Sequence, residues 1–205
     1  MRISLTGQES KVVFDPLLRI LHAWNALAIV GLILTAWLAD LFEHGSKEAT
    51  VWLVHTYIGY ALICGLVGRL VWGMVGPRYA RFSDLLHIDQ WRETWRTWRW
   101  PKPIRYGHDP MASLAFIALY ALLAVQAGLG LALAAIEQNI GPLTPVLGDA
   151  TAWKDFFNEP HEAIYSAVLV FIAAHLSMMV WHHLKRKPVA QAMVSGIQYL
   201  NHGGQ

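Results

Sequence analysis

The sequence predicts an all-α integral membrane protein. The expected fold is a four-helix bundle with cytoplasmic N- and C-termini and an amphipathic helix lying at the cytoplasmic interface between helices two and three. Three observations carry this expectation. Of the 205 residues, 55% are hydrophobic and only 15% are charged, whereas a soluble domain carries charge on about a quarter of its positions. Mean hydropathy is positive, at +0.35. The apolar residues gather into runs at about 16–41, 50–75, 110–136 and 160–184, each long enough for the roughly 20 residues of helix that cross a hydrocarbon core. No internal repeat is visible, and residues 1–205 read as a single transmembrane domain.

The segment before span one, "MRISLTGQESKVVFDP", is polar and lacks a small-residue cleavage site behind a short apolar core, so no removed signal peptide is expected. Spans one, three and four open at Pro16, Pro110 and Pro160, which suits the first helical turn, where a missing N–H costs nothing. Cys64, the one cysteine, sits inside span two and reads as a small apolar-facing thiol. No CxxCH motif for covalent haem attachment exists. Between spans two and three, "WRETWRTWRW" places Trp91, Trp95 and Trp98 at i, i+4 and i+7 with arginines beside them. That is one face of a helix, and an anchor at headgroup level is the reading it supports. Trp37, Trp52, Trp72, Trp153 and Trp181 stand near span ends, as interfacial belt residues do.

Charge sets the direction of the spans. Arg2, Lys11 and Arg19 precede or open span one; Arg78, Arg81, Arg92, Arg96, Arg99, Lys102 and Arg105 lie between spans two and three; Lys185, Arg186 and Lys187 follow span four. The other two loops hold only Lys47 and Lys154, against Asp40, Glu43, Glu48, Glu137, Asp149, Asp155 and Glu159. The positive-inside rule then puts both termini and the middle loop in the cytoplasm, with the chain multi-pass in the membrane. The net charge of +2 is too small to suggest nucleic acid as a partner.

Ionisable residues at membrane depth mark functional sites, and span direction sorts the histidines by depth. His55 and His161 fall at the outer level, His22 and His175 at the inner one. In "HEAIYSAVLVFIAAH" the two histidines of span four are fourteen positions apart, about 21 Å along a helix and within roughly 40° of one direction. Each level therefore offers two imidazoles from different helices, the requirement of a planar macrocycle whose iron is ligated above and below. Two non-covalent haem b groups satisfy it, with His22 and His175 on the inner iron and His55 and His161 on the outer. A zinc or copper ion would want further ligands, and Glu162 is the only nearby acid. A single haem, a bare metal site and purely structural histidines are the alternatives.

Arg69, fourteen residues after His55, faces the same side at the inner level. It could pair with haem propionates or snorkel to the headgroups. Arg78 and His108 are candidates for a propionate or a quinone. Gly59, Gly65 and Gly68 leave span two with little bulk, for a porphyrin or for plain helix packing. His182 and His183 lie too close to the headgroups to replace His175.

"DPLLRILHAWN", "HTYIGYALICGLVGRLVWGMVGPRYARFSDLL" and "EPHEAIYSAVLVFIAAHLSMMVWHH" resemble the prokaryotic cytochrome b561 family, which also contains the b-type cytochrome subunits of nickel–iron hydrogenases. The resemblance covers about residues 12–197. It implies a four-helix dihaem bundle exchanging electrons with membrane quinone, and it carries the ligand pattern to His22, His55, His161 and His175. "YARFSD" and "GHDP" look most like members that work beside periplasmic c-type cytochromes. One departure is "HAWN", since members often have tryptophan directly after the first histidine, and here Trp24 stands one position later.

The expected function is electron transfer between the quinone pool and a periplasmic redox partner, a c-type cytochrome, that the chain also anchors through its acidic outer loop "EQNIGPLTPVLGDATAWKDFFNE". The rivals are a subunit of a hydrogenase or dehydrogenase complex and a stand-alone superoxide:quinone oxidoreductase. The last would want a cationic outer funnel, and the outer loops are acidic.

Overall fold

Two aspartate–proline pairs start two of the long helices. A computed structural model describes residues 2–3, 9–42, 45–100, 107, 109–185 and 189–200. In it Asp15 caps α1 (Pro16–Leu41), its Oδ1 accepting the Leu18 N–H at 3.0 Å. Asp109 does the same for α5 (Pro110–Gln138), accepting from the Met111 N–H at 3.0 Å. Each aspartate satisfies an orphan donor of the first turn, and the proline after it removes another. In chain order the elements are β1 (Arg2–Ile3), β2 (Glu9–Val12), α1, α2 (Glu48–Val75), a 3₁₀ turn at Arg78–Ala80, α3 (Ser83–Leu86), α4 (Ile88–Thr97), α5, α6 (Thr144–Leu147), a 3₁₀ turn at Thr151–Trp153, α7 (Lys154–Leu184), α8 (Val189–Ser195) and β3 (Ile197–Leu200). Among them α1, α2, α5 and α7 are long and apolar enough to cross a membrane. Exposed side chains such as Leu27, Leu34, Val125 and Val170 suit a lipid-facing surface.

Two expectations are corrected. Span four begins at Lys154, so Pro160 lies inside α7 rather than at its first turn. The lost bond is the one to the Phe156 carbonyl, near enough to the helix start to be tolerated. The tryptophan face also stops short: α4 ends at Thr97, and Trp98 sits in the left-handed region at φ 53°, so only Trp91 and Trp95 share the helix. Beside the helices the chain forms a small sheet. β1, β2 and β3 form an antiparallel sheet in that order, with Ser10 opposite Tyr199 and Val12 opposite Ile197. Gly196, at φ +79°, makes the turn from α8 into β3, and its carbonyl accepts from Val13 and Phe14. A side chain there would meet the Phe14 carbonyl at 2.6 Å. The sheet pairs a strand that precedes α1 with one that follows α8.

The chain divides into two units. The first comprises Met1–Ile20, Arg69–Leu119 and Ile172–Gln205. Its core is Val13, Phe14, Leu18, Ala80 and Ala192, with Trp72, Tyr79 and Met193 packed against it. The second comprises Leu21–Gly68 and Tyr120–Phe171. Here α1 and α2 pack closely through glycine: a Cβ on Gly65 would strike Asn25 and Trp24, and one on Gly68 would stand 3.0 Å from Leu21. Trp24 donates from Nε1 to the Ala61 carbonyl at 2.8 Å. The one-residue shift of Trp24 thus gives it an α1–α2 packing role. α5 ends on Asn139 in the left-handed region, with the Ile140 N–H returning to the Ala134 carbonyl.

Candidate cofactor site

The second unit holds His55 and His161, the pair expected at the outer level, and it builds each of them differently. His55 projects from α2 towards α1, where the Thr35 hydroxyl meets its Nδ1 at 2.9 Å. Thr35 is 8% exposed, so water does not compete for this bond. The Thr35 Oγ1 also lies 2.8 Å from the Gly31 carbonyl and 3.0 Å from that of Leu32. Trp52, one turn back on α2, presents a T-shaped ring contact to His55 at 5.5 Å between centroids. Next to His55, Thr56 accepts from Gln138 Nε2 at 2.8 Å, and that amide also reaches the Trp52 carbonyl at 3.4 Å, which ties α2 to the end of α5.

His161 projects from α7 onto Gly130 of α5. A Cβ on Gly130 would stand 3.4 Å from Cε1 and 4.0 Å from Nδ1 of the ring. His161 Nδ1 is buried without a hydrogen-bond partner of good geometry, and the Gln126 backbone faces the ring. The two imidazoles are within electrostatic reach of one another. Gly59 follows His55 by one turn, and no heavy atom lies within 4 Å of the Cβ position there. Of the three span-two glycines, Gly59 thus opens space beside a histidine, while Gly65 and Gly68 serve helix packing. Among the described residues no group of three or more His, Cys, Asp and Glu is gathered as for a metal ion. A donor set of paired imidazoles next to open space fits a macrocycle better than a bare ion.

The inner pair is divided between the units, His22 in the second and His175 in the first, and both are exposed. His175 has the Phe116 ring T-shaped to it at 6.3 Å. Arg69, in the first unit, is 4% exposed and lies over the Phe82 ring at 4.8 Å from guanidinium carbon to centroid. Arg78 is exposed and lies over Tyr79 at 5.7 Å. His108 falls outside the described residues. The residue the sequence reading missed is Thr35. Its depth, level with His55, is the available signal. Helical periodicity hides it, because thirteen residues after His22 is about 140° around the helix.

Four helices of membrane-crossing length with imidazoles set among apolar side chains define a class: a multi-pass membrane protein built as membrane cytochromes are. Comparison with known families makes this particular. The chain belongs to the prokaryotic cytochrome b561 family, whose profile, described as "Prokaryotic cytochrome b561", matches residues 13–196. It is a b-type cytochrome, an electron-transfer class that carries haem b. A protein of Azotobacter vinelandii described as "Probable Ni/Fe-hydrogenase B-type cytochrome subunit" is 27% identical over 216 residues, covering 92% of this chain and 88% of that protein. Similarly described proteins of Rhodobacter capsulatus (27% identical, covering 94% of this chain and 83% of theirs) and Bradyrhizobium diazoefficiens (26%, covering 93% and 86%) are also similar. No solved structure matches the chain significantly.

Proposed function

We propose that this chain is a dihaem cytochrome b of the bacterial inner membrane that moves electrons between membrane quinone and a periplasmic redox partner, which it also anchors. The observation that carries the reading is the pair His55 and His161, brought within electrostatic reach in one unit beside the open face at Gly59. These two would hold the outer haem, and His175, fourteen residues along α7, would hold the inner one with His22. Held by two imidazoles, haem b would supply one-electron outer-sphere chemistry rather than oxygen binding. Around it the chain contributes the rest. Arg69, buried on Phe82, supplies a guanidinium for a propionate, and Arg78, with His108, supplies polar contacts for a propionate or a quinone. Cytoplasmic termini and a headgroup-level α4 follow from the charge pattern.

For docking, the outer loop presents Val146, Trp153 and Phe156, all more than half exposed. Its Lys154 is paired with Glu137 at 2.9 Å, which leaves the loop's acids dominant. The sequence segments favour a c-type cytochrome as partner. The relatives named as hydrogenase cytochrome subunits favour a second reading, in which the partner is a hydrogenase. A reduced-minus-oxidised spectrum with haem quantitation on the purified chain tests the core of the proposal: about two non-covalent haem b per chain are expected, and fewer would sink it. Electron uptake from c-type cytochrome, set against uptake from a hydrogenase, separates the two partners.

A further inference from the structure

We infer that Thr35 is a positioning residue for His55: its hydroxyl accepts the Nδ1–H, which fixes the tautomer and turns Nε2 outward as the iron ligand. The inference rests on the dihaem reading and deepens it. A threonine hydroxyl has one proton to donate. In α1 that proton goes back to the helix, to the Gly31 carbonyl at 2.8 Å or the Leu32 carbonyl at 3.0 Å. What Oγ1 then offers the His55 Nδ1 at 2.9 Å is a lone pair, so Nδ1 must carry the hydrogen. The Leu32 carbonyl faces the ring as well, a second acceptor and no donor. A neutral imidazole protonated at Nδ1 has its lone pair at Nε2, the form a metal ligand requires.

The bond also links two helices. Thr35 belongs to α1 and His55 to α2, and the approach between them is close enough that a Cβ on Gly31 would stand 3.3 Å from Ile58. With Trp52 at the ring as well, the imidazole has its rotation set before any cofactor arrives. A hydrogen bond accepted from the distal nitrogen of a ligating histidine also strengthens the ring as a donor. A stronger donor favours ferric over ferrous iron and lowers the midpoint potential. Removing the acceptor should therefore raise the potential of one haem and leave the other in place.

The test is a spectroelectrochemical titration of the purified, haem-loaded chain, with low-spin electron paramagnetic resonance on the oxidised form. Wild type is compared with Thr35→Val, which keeps the shape and removes the acceptor, and with Thr35→Ser, which keeps the acceptor. Expected are a positive shift in one midpoint and changed g-values for that haem in Thr35→Val, with Thr35→Ser close to wild type. Loss of one haem in Thr35→Val but not in Thr35→Ser supports positioning equally. Unchanged potentials and g-values in Thr35→Val would overturn the inference, as would equal shifts in both variants. Should Thr35→Val not accumulate, Thr35→Ala against Thr35→Ser decides by the same readouts. The dihaem reading fails separately, if His55→Ala retains both haems.

Discussion

The imidazole of His55 is held by a hydroxyl on Nδ1, an aromatic edge and a neighbouring threonine clamped by Gln138. That of His161, in the same unit, rests on the missing side chain of Gly130, with no hydrogen-bond partner of good geometry at Nδ1. The first ring has its orientation set by a side-chain hydrogen bond with another helix; the second packs on Gly130, with the Gln126 backbone facing it. A site with one imidazole oriented in advance by a side chain and one held less specifically can accept a rigid planar ligand without both rings having to be placed to within tenths of an ångström. The rings also differ in what would disturb them: chemistry at Thr35 for His55, and volume at Gly130 for His161.

The largest effect should come from removing the rings themselves. His55→Ala and His161→Ala should each lower the haem content from about two per chain to about one. The double variant should still hold about one, because in the proposed pairing both residues serve the same haem. Combining His55→Ala with His175→Ala should remove both. Pyridine haemochrome quantitation on the purified variants decides it, and a double variant at the outer level with no haem would break the pairing. Next in size is the volume test. Gly130→Ala adds a Cβ 3.4 Å from His161 Cε1, an ordinary contact, and should keep both haems. Gly130→Leu should displace the ring, and Gly59→Leu should fill the open face beside His55, each costing the outer haem while the inner haem's spectrum persists. Full haem loading in Gly59→Leu would show that the open face belongs to lipid.

Much of this was legible because the membrane makes the code simple. Apolar runs alone mark α1, α2 and α5 to within a few residues, since a span must satisfy its own backbone and face hydrocarbon. The histidines stood out for the same reason, as ionisable groups in those runs. What escaped depends on contacts between distant residues. The sheet has strands of two to four residues, too short for an alternation to register, and it pairs opposite ends of the chain. α7 starts early because six polar and aromatic residues, Lys154 to Glu159, continue a helix that hydropathy alone begins at Pro160. Thr35 and the separate duties of Gly59, Gly65 and Gly130 become visible only when one helix lies against the next.

The smallest effect should fall on the first unit and leave the histidine comparison untouched. Asp15 accepts the Leu18 N–H at 3.0 Å and the Trp72 Nε1–H at 3.0 Å through the same oxygen, so one carboxylate caps α1 and ties it to α2. Asp15→Ala removes a helix cap, worth about 0.5–2 kcal/mol, and leaves the indole N–H without its acceptor, a further roughly 1–3 kcal/mol if no other acceptor is found. Asp15→Asn keeps a capping oxygen and should recover most of the loss. Thermal unfolding in detergent should show a lower Tm for Asp15→Ala, with haem content and both midpoint potentials unchanged. A shift in the potential that responds to Thr35 would mean that the first unit controls the outer site after all, and that local contacts around His55 and His161 do not suffice to describe it.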